Sequence, residues 1–256
     1  MSILLVDIGN TRVKWARLKA GRLGRGGAIA HQGRPGAMAS LLRRVPRDVE
    51  RVLAVSVAGG KLDAALATAV RKRLGLRVEF VASTRKAGGV SNGYRDVWRL
   101  GADRWVAAIG AHAVANSRPV LLAMAGTALT IDLVTASGRH RGGAIIPGPT
   151  AMVASLLSGT NGIRRRAGGL RAQDLRTKGR RLFADNTASA LAAGSQFAAA
   201  AFIDRAFLEA TRAMGARPLL LLSGGGAPAL RRHLRSPVRV LPALVLHGLA
   251  ALSVDR

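Results

Sequence analysis

The chain has 256 residues, with 40 Lys and Arg residues against 13 Asp and Glu residues, and its formal net charge is +27 at pH 7. Hydrophobic residues make up 49% of the chain, and this length fits one large domain or two of about 120 residues. The absence of cysteine excludes disulfides, iron–sulfur clusters and a cysteine nucleophile. No apolar run reaches the ~20 residues of a membrane span, and the N-terminal residues lack the basic start of a secretory signal. We therefore expect a cytoplasmic protein.

The positive charge is spread evenly along the chain. Residues 1–117 hold 21 basic and 7 acidic residues, and residues 118–256 hold 19 and 6. Aromatic residues are only 4% of the chain, so side chains on which bases could stack are scarce. This distribution argues against a nucleic-acid partner and fits long-range attraction of small anions. The densest basic stretch, residues 164–181, predicts either a solvated loop or a collar for an anionic substrate.

The hydrophobic pattern predicts alternating strands and helices along the chain. In the first half we expect strands at 2–8, 12–18, 26–31, 51–57 and 78–81, and helices at 41–44, 64–74 and 99–116. In the second half we expect strands at 119–124, 128–134, 142–146, 218–222 and 238–241, and helices at 150–157, 186–214 and 244–254.

The second half repeats features of the first. Gly21 lies twelve positions after Gly9, and Gly138 lies twelve positions after Gly126. The pentapeptide RGGAI occurs at residues 25–29 and again at 141–145. Two echoes in one register indicate an internal duplication. We predict one half over residues 1–117 and the other over 118–256, each an α/β unit with strands packed between helices.

A phosphate-binding loop is predicted where the first strand ends. Asp7 is followed by Gly9, Asn10 and Thr11, and Lys14 lies on the next strand. Glycine lets backbone N–H groups approach an anion closely, and Asp7 can hold Mg²⁺ against phosphate oxygens. An ordinary hairpin with a turn stabilised by a polar side chain is the alternative.

Two further glycine-rich turns follow buried strands, at Ala125–Thr127 and at Ser223–Gly226. Such turns at strand ends are places where phosphate or adenosine binds. Three of them in two repeated halves predict a nucleotide cleft. Neither a GxxxxGK[ST] loop nor a GxGxxG after a strand is present, which disfavours P-loop and Rossmann folds.

The tetrapeptide Gly101-Ala-Asp-Arg104 opens a predicted helix. Asp103 can act as a general base for a hydroxyl, and Arg104 can clamp a carboxylate. A kinase needs both roles. In the alternative, Asp103 caps the helix and Arg104 points to solvent.

Together these segments resemble the type III pantothenate kinases, also called the Bvg accessory factor family. The motifs, in family order, are DIGNTRVKW at 7–15, NGY at 92–94 with LGADRW at 100–105, GTALTID at 126–132 with GGAIIPG at 142–148, NTA at 186–188 and LSGGG at 222–226.

The resemblance implies an α/β fold with two duplicated ribonuclease-H-like halves, as in the acetate and sugar kinase/Hsp70/actin superfamily. It implies ATP-dependent phosphorylation of pantothenate to 4′-phosphopantothenate, the first step of coenzyme A synthesis, by a homodimer whose active site lies near the interface. It places the catalytic base on Asp103. It places pantothenate contacts on Tyr94, Gly101, Ala102, Asp103, Arg104 and Thr187, the last donated across the dimer interface. It places ATP contacts on Asp7, Ile8, Gly9, Asn10, Thr11, Arg12, Val13, Lys14 and Thr127.

Two positions qualify the resemblance. Many members carry an Asp that binds a monovalent cation where this chain has Met124, and a thioether is a poor ligand for K⁺ or NH₄⁺. Asn186 and Thr187 can also be read as a helix N-cap. The alternatives to a pantothenate kinase are another small-molecule kinase of the same superfamily and a regulatory or nucleic-acid-binding protein that retains the fold.

Overall fold

The structure is a computed structural model that describes residues 1–170 and 181–254. The chain divides into two compact units. Unit 1 contains Met1–Ser117, Ala136–Gly142 and the segment that begins at Ala243, and unit 2 contains Arg118–Thr135 and Gly143–Pro242. The segment after Ala243 therefore packs with residues that precede unit 2 in sequence. The predicted division into one half over residues 1–117 and another over residues 118–256 stays a prediction.

Unit 1 is built on a six-stranded sheet with the order β3-β2-β1-β5-β6, in which β4 also pairs with β2. Its main strands are β1 Ser2–Ile8, β2 Arg12–Lys19, β3 Arg22–Leu23, β4 Gly27–Ala30, β5 Arg51–Ser56 and β6 Val78–Phe80. Its helices are α1 Gly36–Leu42, α2 Gly60–Leu74, α3 Ala102–Ala115 and α8 Leu244–Leu252. A short hairpin, β7 Lys86–Ala87 and β8 Val90–Ser91, and a 3₁₀ turn at Val97–Arg99 connect β6 to α3.

All seven residues of β1 are buried, because helices cover both faces of this central strand. Leu4, Val6 and Ile8 point to one face, where they pack in a core cluster with Met38 of α1 and Leu66 of α2. The other face of the sheet is covered by α3 and α8, both of which contact β5.

The helices α3 and α8 pack closely against each other. A Cβ on Gly248 would overlap the carbonyl of Val106, and one on Gly110 would lie 2.7 Å from the Leu244 carbonyl. The absence of a side chain at both positions lets the two backbones meet. Helix α3, whose first turn contains the predicted base Asp103, is thus supported by α8, which is far away in sequence.

Unit 2 repeats this plan with a five-stranded sheet in the order β11-β10-β9-β12-β13. Its elements are β9 Val120–Ala125, β10 Ala128–Val134, β11 His140–Pro147, α4 Pro149–Gly159, α5 Asn161–Arg166, α6 Thr187–Met214, β12 Leu219–Ser223, α7 Ala227–Arg231 and β13 Arg239–Val240. The core combines alternate residues of β9, β10 and β12 with the apolar face of α6, including Ile203 and Phe207.

The two sheets share one topology. In each, the first strand is central and the second pairs with it antiparallel, while a later strand, β5 in unit 1 and β12 in unit 2, pairs with it parallel. This common order supports the internal duplication inferred from the sequence echoes.

Several predicted elements differ from the structure in their bounds. The predicted helix 99–116 begins at Ala102, because Leu100 and Gly101 have extended backbone. The predicted helix 41–44 is Gly36–Leu42, and the short strands β3, β7 and β8 were not predicted. Within the basic stretch 164–181, Arg164–Arg166 close helix α5, and residues 171–180 lie outside the described residues. Arg164 donates to the carbonyls of Leu157 and Ser158, so this arginine caps the end of α4.

Over residues 1–170 and 181–254, no helix combines the length and the apolar character that a membrane span requires.

Candidate active site

Asp7 and Lys14 face each other across the first hairpin of unit 1. They are directly paired in the antiparallel ladder of β1 and β2, and Lys14 Nζ lies 3.5 Å from Asp7 Oδ2. Burial raises the pKa of Asp7 above its ordinary value; Lys14 opposes this shift, and the nearby Asp103 carboxylate adds to it. The structure thus places a carboxylate and an ammonium group side by side at the end of β1, where the charge of Asp103 also acts on Asp7.

The loop between these strands holds the predicted ATP contacts. Asn10, Thr11 and Arg12 are exposed, whereas Ile8 and Val13, which flank the loop as a ladder pair, are buried. Gly9 N–H donates to the Arg12 carbonyl at 3.1 Å. The buried His31 lies 2.7 Å from the Gly9 carbonyl through Nε2 and was not singled out by sequence reasoning.

The predicted substrate motif lies at the start of α3. Gly101 is the N-cap residue and Ala102 the first residue of the helix. Asp103 Oδ1 accepts a hydrogen bond from the Arg104 N–H at 2.8 Å. A carboxylate in the first turn of a helix is stabilised by the helix dipole. Asp103 is therefore not the N-cap residue, in contrast to the simpler sequence interpretation.

Arg104 is buried rather than solvent-directed. Arg104 is only 7% exposed, and its Nη1 donates to the Tyr94 hydroxyl at 3.0 Å. The guanidinium carbon lies 5.7 Å from the centre of the Tyr94 ring, and this ring stacks on His140. These contacts hold a cation in a fixed position suited to recognising a carboxylate.

The loop that carries Tyr94 is fixed by polar contacts. The buried Asn92 accepts from the Tyr94 N–H at 3.0 Å and donates to the Thr84 carbonyl at 3.3 Å. Arg85 donates to the carbonyls of Tyr94 and Arg95, both at 3.0 Å. Arg85 gives no recognisable signal in the sequence, because its partners are backbone atoms brought close by the fold.

In unit 2, the corresponding hairpin loop contains Gly126 and Thr127. Thr127 is exposed, and its carbonyl accepts from the Gly148 N–H at 2.8 Å. Met124 is partly buried and pairs across the ladder with Thr130 on one side and Ser223 on the other. The position at which the resemblance implies a cation-binding carboxylate thus carries a neutral thioether.

The turn Ser223–Gly226 lies beside this loop. Gly226 N–H donates to the Ala125 carbonyl at 3.0 Å. Gly224 has a φ of +95°, and a Cβ there would overlap the Ala125 carbonyl, so only glycine fits without strain. Two glycine-rich turns therefore meet at the ends of the parallel strands β9 and β12.

Thr187 lies elsewhere in unit 2, on helix α6. The N-cap of this helix is Asn186, whose side chain accepts from the Ser189 N–H at 2.9 Å. Thr187 lines an apolar groove between α4, α5 and α6 together with residues such as Met152 and Leu191. The capping role considered for this pair falls on Asn186, which leaves Thr187 as a residue of the groove.

Comparison with known proteins identifies the relatives of this arrangement. The sequence model of the family described as type III pantothenate kinase matches residues 3–209. A type III pantothenate kinase of Aromatoleum aromaticum is 38% identical, with 98% of this chain and 97% of that protein covered. One of Verminephrobacter eiseniae is 34% identical, with 100% of this chain and 98% of that protein covered.

Solved structures show the same fold at low sequence identity. A ROK family glucokinase from Streptomyces griseus has a TM-score of 0.56 and 15% identity, with 99% of each chain covered. An acetate kinase from Porphyromonas gingivalis has a TM-score of 0.52 and 11% identity, also with 99% of each covered. The α/β fold expected from the sequence is thus confirmed as the fold that these two kinases have. On the family match and the full-length relatives together, the chain belongs to the type III pantothenate kinase family.

Proposed function

We propose that this chain transfers the γ-phosphoryl group of ATP to pantothenate, with Asp103 as the general base. The observation that carries the proposal is the start of α3, where Asp103 lies beside the Arg104–Tyr94 pair and close to Asp7. The pantothenate hydroxyl oxygen attacks the γ-phosphorus, the bond from phosphorus to the ADP oxygen breaks, and the hydroxyl proton passes to Asp103. The products are 4′-phosphopantothenate and ADP.

Pantothenate is recognised through its carboxylate and its hydroxyl. The buried guanidinium of Arg104, held by the Tyr94 hydroxyl, is suited to bind the carboxylate. Gly101 and Ala102 bring the backbone at the start of α3 next to the substrate. Such positioning supplies most of the catalysis in phosphoryl transfer, because the transition state needs little covalent help from the protein.

The residues proposed to contact ATP lie on the glycine-rich hairpin loop of each unit. In unit 1 they are those from Asp7 to Lys14, and in unit 2 the residue is Thr127. Lys14 reaches the phosphates as a point charge. The net charge of +27 increases the rate at which two anionic substrates arrive.

Asp7 is the residue suited to hold Mg²⁺. A carboxylate oxygen is a ligand that Mg²⁺ prefers, and the ion keeps waters and phosphate oxygens as its other ligands. The fit rests on the buried carboxylate of Asp7 beside the like charge of Asp103, because a divalent cation offsets both. When bound, Mg²⁺ neutralises charge on the phosphate oxygens.

The test of the base is a pair of aspartate variants assayed with ATP, Mg²⁺ and pantothenate. Asp103→Asn keeps the oxygen that accepts from Arg104 N–H, and we expect kcat to fall by about 10²–10⁴-fold. Asp96→Asn is the matched control, because the Asp96 side chain is exposed and forms a salt bridge with the exposed Arg99; it should keep kcat within about twofold. An Asp103→Asn enzyme with undiminished kcat would remove Asp103 from the base role. A panel of sugars and other hydroxy acids as acceptors tests the assignment of pantothenate.

We further propose that activity does not depend on K⁺ or NH₄⁺. Met124 stands where many relatives have a carboxylate, and a thioether does not fit a hard monovalent cation. Replacing K⁺ by Na⁺ at constant ionic strength should leave kcat/KM nearly unchanged. Met124→Asp should introduce a K⁺ response, and a strong K⁺ requirement in the unaltered enzyme would refute the proposal.

The assembly is proposed to be a homodimer in which Thr187 contacts pantothenate in the partner's site. The test mixes two inactive variants, Asp103→Asn and Thr187→Trp, after refolding them together. Mixed dimers then contain one intact site, and about a quarter of the normal activity should return. No recovery from a mixture shown to form mixed dimers would mean that Thr187 acts within its own subunit, and an active Thr187→Trp variant would mean that it has no role.

A further inference from the structure

We infer that His31 is a positioning residue that turns the backbone N–H group of Asn10 toward the phosphates of ATP. The inference rests on the proposed function, since it concerns the loop Gly9–Arg12 as a phosphate-binding loop. His31 follows strand β4 and is only 2% exposed. It therefore cannot itself be a surface ligand for the nucleotide.

The hydrogen bonds of His31 fix its tautomer. Gly33 N–H donates to Nδ1 at 3.0 Å, so Nδ1 accepts and carries no proton. The ring proton is then on Nε2, which lies 2.7 Å from the Gly9 carbonyl and donates to it. A neutral imidazole thus holds the Gly9 carbonyl on the buried side of the loop.

The backbone of His31 holds the same loop at a second point. Its N–H donates to the Thr11 carbonyl at 3.2 Å, and within the loop Gly9 N–H donates to the Arg12 carbonyl. The carbonyls of Gly9 and Thr11 are both directed to one residue. The loop is therefore fixed at its first and third positions, with Asn10 between them.

This anchoring determines the direction of the next N–H group. In a trans peptide the C=O and the following N–H point to opposite sides, and the described chain contains no cis peptide bond. Because the Gly9 carbonyl points inward to His31, the Asn10 N–H points outward. Asn10 is exposed, and an outward N–H in a glycine turn is a donor for an anion.

Two substitutions distinguish the contact made by Nε2 of His31 from the contact made by Nδ1. The amide nitrogen of Gln reaches about as far as Nε2, so His31→Gln can still donate to the Gly9 carbonyl. The amide of Asn reaches only to the position of Nδ1, so His31→Asn can still accept from Gly33 but cannot hold Gly9. The two variants are matched in polarity: His31→Gln keeps the contact to Gly9 that the inference requires, and His31→Asn keeps the contact to Gly33 instead.

The experiment measures MgATP binding by calorimetry without pantothenate, and then the KM of each substrate. For His31→Asn we expect the Kd and KM of ATP to rise about tenfold, as for one lost hydrogen bond, while the KM of pantothenate stays within twofold. His31→Gln should recover most of the ATP affinity. Equal losses for both substrates, or normal ATP binding by a folded His31→Asn, would overturn the inference.

A second measurement uses the unaltered protein and covers the case in which His31→Asn does not fold. In ¹⁵N-resolved spectra we expect the Nε2–H tautomer of His31 and a large shift of the Asn10 amide on addition of MgATP. The opposite tautomer, or an unmoved Asn10 amide at saturating MgATP, would overturn the inference. If the unaltered protein binds MgATP through Asn10 but does not phosphorylate pantothenate, the proposed function fails and the role of His31 stands.

Discussion

The hairpin loop of unit 1 and that of unit 2 start from the same scaffold and differ in how they are held. Ile8 and Val13 close the first loop, and Ala125 and Leu129 close the second, which is one residue shorter. In the second loop, Gly148 N–H donates to the Thr127 carbonyl, as His31 N–H donates to the Thr11 carbonyl in the first loop. In the first loop, the His31 ring adds a side-chain contact, from Nε2 to the Gly9 carbonyl at 2.7 Å.

The side chains below the two loops differ more sharply. Asp7 lies two residues before Gly9, and Met124 lies two residues before Gly126. Asp7 is paired with Lys14, whereas Met124 is paired with Thr130. The duplication has kept the strand order and the turns, while the charged pair Asp7 and Lys14, which we propose to act on Mg²⁺ and phosphate, lies in unit 1. The same backbone can thus serve two different chemical roles.

The largest expected effect is the difference in kcat/KM for MgATP between a variant at Asp7 and a variant at its counterpart Met124. We expect Asp7→Asn to lower kcat/KM for MgATP by at least about 100-fold, because it removes the carboxylate proposed to hold Mg²⁺. Met124→Ala should change the same quantity by less than about threefold, since a partly buried thioether carries no charge. Steady-state kinetics at varied Mg²⁺ measures both. Similar losses in the two variants would mean that the loops do not differ in role.

An intermediate effect concerns the turn that supports the second loop. Gly224→Ala places a Cβ against the Ala125 carbonyl at a φ of +95°, and we expect the free energy of unfolding to fall by about 2 kcal/mol or more. Gly225→Ala is the matched control, because nothing lies within 4 Å of a Cβ there. Denaturant unfolding of both variants tests this, and an unaffected Gly224→Ala would show that the turn can shift.

The smallest effect is on stability as a function of pH. Burial raises the pKa of Asp7 above 3.8, so the folded chain binds this proton more tightly than the unfolded chain. The folded state therefore loses stability as pH rises from 3.8 through the raised pKa. Asp7→Asn removes this loss, and its Tm should exceed that of the unaltered protein at pH 7, by about 2–4 °C for each kcal/mol.

The Tm difference should shrink as pH is lowered toward 4, and thermal melts between pH 4 and 8 measure it. Asp96→Asn is again the control, because the Asp96 side chain is 57% exposed. A difference that is constant over this range would show that the burial of Asp7 does not cause the effect.

The sequence predicted most of the fold because local patterns specify it. Strand β1 was predicted with the bounds that the structure has, since seven consecutive buried residues end at a glycine turn. The start of α3 was missed by three residues, because an apolar residue and a glycine with extended backbone do not interrupt the helical spacing. The helix α5 was missed because three consecutive arginines resemble a solvated loop.

The side-chain network around the loops was harder to predict. His31 and Arg85 bind backbone carbonyls that are 22 and 9 or 10 residues away, and a carbonyl has no signature in the sequence. Motif resemblance located Asp7, Tyr94 and Asp103, and their proposed roles stay predictions until variants are assayed. The pairing of Arg104 with Tyr94 follows from the tertiary structure alone.

The placement of α8 has a consequence for how the protein is made. Helix α3, which carries Asp103 and Arg104, packs against α8, and α8 is synthesised only after the whole of unit 2. At ribosomal rates of about 5–20 residues per second, the interval between the end of α3 and the end of α8 is roughly 7–27 s. During that time the face of α3 that packs against α8 is exposed on the nascent chain. Unit 2 is then fully synthesised before unit 1 is complete. We therefore expect unit 1 to need chaperones during synthesis and to be destabilised by truncation of the C-terminal end, because α8, which completes unit 1, is encoded after unit 2.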